Sequence, residues 1–384
     1  MAGDVPRRSG KGQYGKREKY DGALLLTRLP AMPYPTSKRQ EKGSGQPMMN
    51  RSKQGRMARK TIFVLWLTAL ALVPFHLAQA QQQAKVAKIG WLGVSSASRQ
   101  APSIEGFRRE FRALGYVEGK SIAFEYRDAE GKPDRLPAVA DELVRLKVDV
   151  IVTASTIGAL AAKNATRTIP IVFYSAGDPV ATGLVDSLAR PGGNITGFTV
   201  ISAVLAGKRL ELLKETIPKL SRVAVLWNPQ DPGSAQQWKE SQIPARELSL
   251  QLHSMEVSSA DKYDDAFKEA IKAHSAALAV TQSSLFIFNQ KQIADLAVKT
   301  RLPAIYPRKD FVASGGLMSY GADQSESYTR AASIIDKILK GKKPADIPVE
   351  QPTKFELLIN LKTAKALGLT IPSVVMMRAE KVIK

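Results

Sequence analysis

The chain has 384 residues, 44% of them hydrophobic, no cysteine and a formal net charge of +21. The missing cysteines exclude a disulfide scaffold and a lipid-bearing cysteine behind an export signal. The charge is unevenly placed: residues 1–60 hold +11, residues 61–80 none, and the remaining +10 is spread over residues 81–384. A long domain with that charge is suited to solubility and anionic ligands, and carries no specific nucleic-acid signal.

Residues 1–56 are rich in Gly, Ser, Pro, Lys and Arg and lack any helical or strand period, so they cannot bury enough surface to fold. They are expected to be a disordered basic stretch upstream of a true start at Met57. Residues 57–80 have the layout of a secretory signal peptide. Arg59 and Lys60 supply charge, Ile62 to Val73 form an apolar run, Pro74 breaks it, and Ala78 and Ala80 fit the small −3 and −1 positions, with cleavage expected after Ala80. The run is shorter than the roughly 20 apolar residues of a membrane-spanning helix. The expected product is exported and, in a Gram-negative cell, periplasmic.

From Lys85 onward, short apolar runs alternate with amphipathic stretches. Strands are predicted at 87–94, 121–128, 148–153, 170–175 and 194–199, with helical stripes at 101–114 (Ile104, Phe107, Phe111, Leu114) and 134–147 (Leu136, Val139, Ala140, Leu143, Val144). The rhythm then restarts. Strands at 222–228, 250–257, 276–282, 303–307 and 316–321 alternate with helices near 234–248, 261–273 and 286–300. Doubly buried strands separated by amphipathic helices predict an α/β fold with parallel sheets. Two such units in about 300 residues predict two lobes. Helices at 205–216 and 323–340 stand where the chain can pass between them. The first lobe is expected to take 85–200 plus about 322–345, and the second 201–321 plus about 346–384.

In open parallel sheets ligands sit beyond the carboxyl ends of the strands, near helix N-termini. The rims to watch are therefore 95–98, 154–158, 176–183, 228–234, 282–284, 306–310 and 320–324. Asp178 reads either as a partner for a ligand ammonium or as a helix N-cap ahead of Pro179. Trp227, followed by Asn228, either walls an aromatic ligand or packs under the sheet edge. Tyr306 and Tyr320 end later strands and offer either a stacking ring or rim packing. Gln282 and Ser283 hold the analogous strand end and suit polar ligand groups. Residues 190–194 (RPGGN) read as a turn.

Catalytic chemistry finds little purchase. His253 and His274 stand alone, His76 falls in the signal, and no nucleophile elbow appears. No phosphate-binding glycine loop occurs after Lys85 and neither His253 nor His274 has a metal-spaced partner, so no cofactor and no metal are expected. An exported enzyme or a ligand-sensing receptor domain on the same fold are the competing readings. A transcription factor would need a helix-turn-helix before the first strand, and residues 1–56 show none.

Four blocks carry a resemblance: FYSAGDPVATGLVDSLARPGGNITGFT, LLKETIPKLSRVAVLWNP, GGLMSYGAD and AASIIDKILKGKKPADIPVEQPTKFELLINLKTAKALGLTIP. Together they resemble the ABC-transporter substrate-binding protein family that includes the tryptophan-binding TrpX-type proteins, across essentially all of 85–384. The resemblance implies a type I periplasmic-binding-protein architecture, with two Rossmann-like lobes joined by three crossovers. It implies capture of a small ligand for an ABC permease in the inner membrane. It also implies that a ligand carboxylate meets amides and hydroxyls at Ser95, Ser96, Ala97, Ser155 and Thr156, where helix N-termini carry partial positive charge. An amino acid or related carboxylate, aromatic more than aliphatic, is the expected ligand, and the protein is expected to be a monomer.

Overall fold

Val150–Thr153 and Ala277–Val280 are buried at every position, as strands covered on both faces by helices must be. They are interior strands of two sheets. The computed structural model describes residues 85–384, so the signal segment, its cleavage site at Ala80 and residues 1–56 lie outside the described residues.

The first unit runs β1 (Ala87–Gly93), α1 (Ala97–Ala113), β2 (Ile122–Asp128), α2 (Leu136–Arg145), β3 (Val150–Thr153), α3 (Thr156–Ala165), β4 (Ile171–Ala176) and β5 (Ile195–Thr199). Its five strands are all parallel, in the order β2-β1-β3-β4-β5. The second begins with α4 (Leu205–Thr216), β6 (Arg222–Trp227), α5 (Pro232–Glu247), β7 (Gln251–Glu256) and α6 (Tyr263–Lys272). It continues through β8 (Ala277–Val280), α7 (Ser284–Phe288), α8 (Gln290–Lys299), β9 (Ala304–Tyr306), α9 (Lys309–Ala313) and β10 (Met318–Ala322). The chain ends with α10 (Gln324–Leu339), β11 (Phe355–Asn360), α11 (Leu361–Ala366), α12 (Ser373–Met376) and β12 (Lys381–Ile383). The second sheet has the order β12-β11-β10-β9-β8-β6-β7.

Each sheet is covered on both faces. On the first, Phe107 and Phe111 of α1 meet Trp91 and Tyr174 on one side, and Leu143 of α2 and Ala162 of α3 meet Leu92 and Phe173 on the other. Helix α10 follows a strand of the second sheet but packs on the first, with Ala331, Ile334 and Ile335 in the same cluster as Ile89 and Trp91. The chain therefore passes between the sheets three times, at 199–205, 322–324 and 350–355. Ile201, in the first passage, holds φ at +43°, a region that β-branched residues rarely enter.

The observed strands and the longer helices follow the alternating pattern of the sequence, with two differences. The helix expected at 286–300 is broken at Asn289, whose side chain donates to the carbonyl of Leu285 at 2.6 Å. At the end of the chain β11 adds antiparallel to β10, so the second sheet is mixed. A strand that the chain enters from the other lobe is free to run either way, because no helical crossover on its own sheet fixes its direction, and β12 then adds parallel to β11 as the edge.

Candidate functional site

Both sheets reverse their strand order at one place, β1/β3 in the first and β6/β8 in the second. At such a switch point neighbouring loops leave in opposite directions and open a crevice beyond the strand ends. The loops after β1, β3, β6 and β8 face one another here. They line a cavity of about 280 Å³ that includes Ser95, Ile157, Asn228, Ser283 and Phe288. A narrower space beside it is lined by Ser155, Thr156, Ser175, Asp231 and Gln282.

Two helix N-termini meet at this place, one from each lobe. Ser155 caps α3, its Oγ accepting from the Gly158 amide at 3.0 Å. Asp231 caps α5, with Pro232 at the first helical position and Oδ1 accepting from Gly233 N at 3.0 Å and Ser234 N at 3.4 Å. The lobes touch so closely that a Cβ on Gly233 would lie 2.7 Å from Thr156 Oγ1. Gln282 spans the gap: Nε2 donates to Ser175 Oγ of the first lobe at 2.9 Å, while Oε1 accepts from Ser202 at 2.8 Å. Gln237 of α5 holds the Gln282 backbone from behind, accepting from its N–H at 2.8 Å and donating to its carbonyl at 3.1 Å.

Asp231 is 4% exposed, and burial pushes its carboxyl up to about 6 against the opposing pull of the Ser283 hydroxyl and the Ser234 and Gly233 amides. Ser283 Oγ is buried close to that carboxylate without hydrogen-bond geometry to any acceptor. The site thus combines helix-terminal amides that suit a carboxylate with a buried acid that suits an ammonium. Among the described residues, no group of three or more His, Asp and Glu could hold a metal ion.

The sequence-predicted residues separate into two sets. Ser95, Ser155, Thr156, Asn228, Gln282 and Ser283 line the cleft. Ser96 takes the N-cap position of α1 outside the lining, with no side-chain bond to the helix amides and its hydroxyl 3.1 Å from that of Ser98. The Ala97 amide donates to Asp128 Oδ2 at 3.2 Å, so an internal carboxylate already occupies that helix N-terminus. Asp178 accepts from the amides of Val180 and Ala181 at 3.1 and 3.0 Å, capping a turn; it lies at neither a helix start nor the cleft, the two places its alternative readings would put it. Trp227 stacks on Trp238 with ring centroids 5.8 Å apart, and its indole N–H donates to Ser254 at 2.7 Å. Tyr306 is fully buried against Phe311 in the core of the second lobe, and Tyr320 stacks on Phe355. None of these last six lines the cleft cavities.

The sequence reading marked the 228–234 rim without singling out Asp231 in it, and missed Gln237, Ser175 and Phe288. The signal for Asp231 was present in the Asp-Pro-Gly-Ser run, a helix-start pattern. Nothing local marks Ser175 or Gln237, which matter only because the opposite lobe is near.

The family model for the ABC transporter substrate binding protein matches residues 93–383. The chain belongs to that family. Its members are binding proteins and not enzymes. The tyrosine-binding protein of Clostridioides difficile strain R20291 is 29% identical over 265 residues, 69% of this chain and 76% of that one. A Streptococcus pneumoniae ABC domain in complex with L-Trp is 26% identical, with a TM-score of 0.72, covering 78% of this chain and all of the other. A ligand-free, open substrate-binding protein with adhesive properties from Clostridium difficile has the same identity and the same coverage, with a TM-score of 0.57. At equal identity the better superposition is with the L-Trp complex, in keeping with the direct contacts between lobes seen here. The substrate-binding protein thus has the two-lobe α/β architecture of periplasmic-binding proteins, its sheets parallel but for the β10–β11 pair.

Proposed function

We propose that this substrate-binding protein captures an aromatic amino acid between its lobes outside the cytoplasm and delivers it to an ABC permease of the inner membrane. The observation that carries this reading is the meeting of the α3 and α5 N-termini beside Asp231. Free amides at the start of α3 attract the α-carboxylate. The buried Asp231 carboxylate offers a counter-charge for the ammonium. Ile157, Leu285 and Phe288 supply apolar surface for a side chain. A cavity of about 280 Å³ matches a small solute near the lower end of the usual range of ligand pockets, about 300–1,000 Å³. Two relatives support the aromatic class, since one is named for tyrosine and the other was crystallised with L-Trp.

In this reading the first lobe comprises 85–200 with 322–345, the second 201–321 with 346–384, and they hinge at the three passages. Residues 57–80 direct export to the periplasm with cleavage after Ala80, and the mature protein acts as a monomer. The test is mass spectrometry of the solute that co-purifies with the chain from Gln81 onward, followed by calorimetric titration with tyrosine, tryptophan, phenylalanine and leucine. Tyrosine or tryptophan should bind saturably; a solute at 100 times its Kd adds about 2.7 kcal/mol of stability. Failure of all three aromatic amino acids to bind the stripped protein would refute the substrate class.

A further inference from the structure

Arg209 on α4 is a buried cation without an acid beside it. The residue is 3% exposed. Its Nε donates to the carbonyl of Tyr320 at 3.0 Å and a terminal nitrogen reaches the carbonyl of Ser202 at 3.4 Å. Among the described residues it forms no ion pair, and burial lowers its pKa to about 10 with no carboxylate opposing the shift. Carbonyl oxygens solvate a guanidinium but leave its charge in place, and a buried charge without a counter-charge is strongly disfavoured.

Arg209 lines a small cavity with Ser175, Ser202, Gln282, Arg308 and Gln324. The cavity lies between two of the passages that join the lobes, 199–205 and 322–324. The charge of Arg308 is matched by Asp310, with which it forms an ion pair. Ser175 Oγ accepts from Gln282, which leaves its own proton free to donate. The open space is about 10 Å³, near the lower limit for one water-sized sphere. The net positive charge is therefore that of Arg209, and the donors around it come from both lobes: Ser175 from the first, Arg209 and Arg308 from the second.

We propose that this hinge cavity binds one small anionic group, a free halide or a single carboxylate oxygen, held by Arg209, Ser175 and Arg308, and that its occupancy favours the closed arrangement of the lobes. The lining comes from both lobes, so the cavity is complete only when the lobes are together, and the anion then binds the closed form better and shifts the population toward it. By reciprocity, closure on a solute tightens the anion site. A halide-binding hinge does not depend on the solute reading above.

The test uses the chain from Gln81 onward, stripped of solute, unfolded by heat in sodium chloride and in sodium gluconate at equal ionic strength. A Tm that rises saturably with chloride, and no longer does so in Arg209→Met, supports a free halide. Ser175→Ala, which leaves the guanidinium in place, should weaken the same dependence and serves if Arg209→Met fails to fold. The second arm compares an amino acid with its carboxamide. Chloride-independent Tm together with an affinity that falls about tenfold in Ser175→Ala for the carboxylate alone supports the anion site with the solute as its source, and would move the solute carboxylate from the α3 amides to the hinge. Equal Tm in both salts and equal losses for acid and amide overturn the proposal. Chloride dependence without any solute binding would sink the proposed function and leave the hinge site standing.

Discussion

Thr156 Oγ1 stands 2.7 Å from the point where Gly233 would carry a Cβ, so the two lobes meet with no room for a methyl group. Gly233 is helical, and alanine there favours the helix by up to about 1 kcal/mol. The same methyl group presses on Thr156 only when the lobes are closed. Gly233→Ala should therefore leave Tm equal or higher while lowering solute affinity on the order of tenfold. Calorimetry and small-angle scattering with and without solute check this. Unchanged affinity would mean that Thr156 turns aside without resistance.

Asp231 gives the binding protein a defined pH response. Its carboxyl moves from the ordinary 3.8 to about 6 in the folded chain. The folded state thus holds the proton more tightly than the unfolded state, and the resulting stability is complete below about pH 4 and lost as pH rises through 6. Asp231→Asn keeps a competent N-cap. It should be more stable than the parent by about 3 kcal/mol near pH 8, with the difference closing below pH 4. Thermal unfolding across that range reads the effect. The same variant should lose affinity for an amino acid at pH 8, since the ammonium loses its counter-charge.

Trp227 faces Trp238 and not the cleft. Trp227→Ala should cost about 2 kcal/mol, less than the roughly 3–5 kcal/mol of a fully buried tryptophan. Solute affinity should stay within a factor of about two, since no hot-spot contact is lost. Denaturant titration and calorimetry on one preparation separate the two effects. A large loss of affinity would return Trp227 to the binding surface.

Gly197 on β5 is pressed against β4, where a Cβ would lie 2.0 Å from the Phe173 carbonyl oxygen. The obstacle is backbone, so the strands themselves must part. Gly197→Ala should destabilise the first lobe by about 3 kcal/mol, the upper end of the usual range for overpacking. Hydrogen exchange should report faster opening of β4 and β5 than of the second sheet.

Legibility in the sequence followed the range of the interactions involved. The alternation of apolar runs and amphipathic stripes from Lys85 to Gly321 marked ten strands, because burial on both faces leaves its period in the chain itself. The end was harder to read. Phe355–Asn360 returns from the opposite lobe and pairs antiparallel, a partnership that leaves no local period. Among the site residues, the strand-end rule reached Ser95, Ser155, Thr156, Asn228, Gln282 and Ser283. It equally selected Tyr306 and Tyr320, whose strands lie away from the switch points.

The sequence by itself determined the elements, the two α/β series and the chemistry available at each strand end, since propensity, caps and hydrophobic period act over a few residues. Only the tertiary structure decided which strand ends face the other lobe, because strand order is set by contacts between residues far apart in the chain. That order brought Gly233 to Thr156 and Gln282 to Ser175, and it left Arg209 buried at the hinge without an acid.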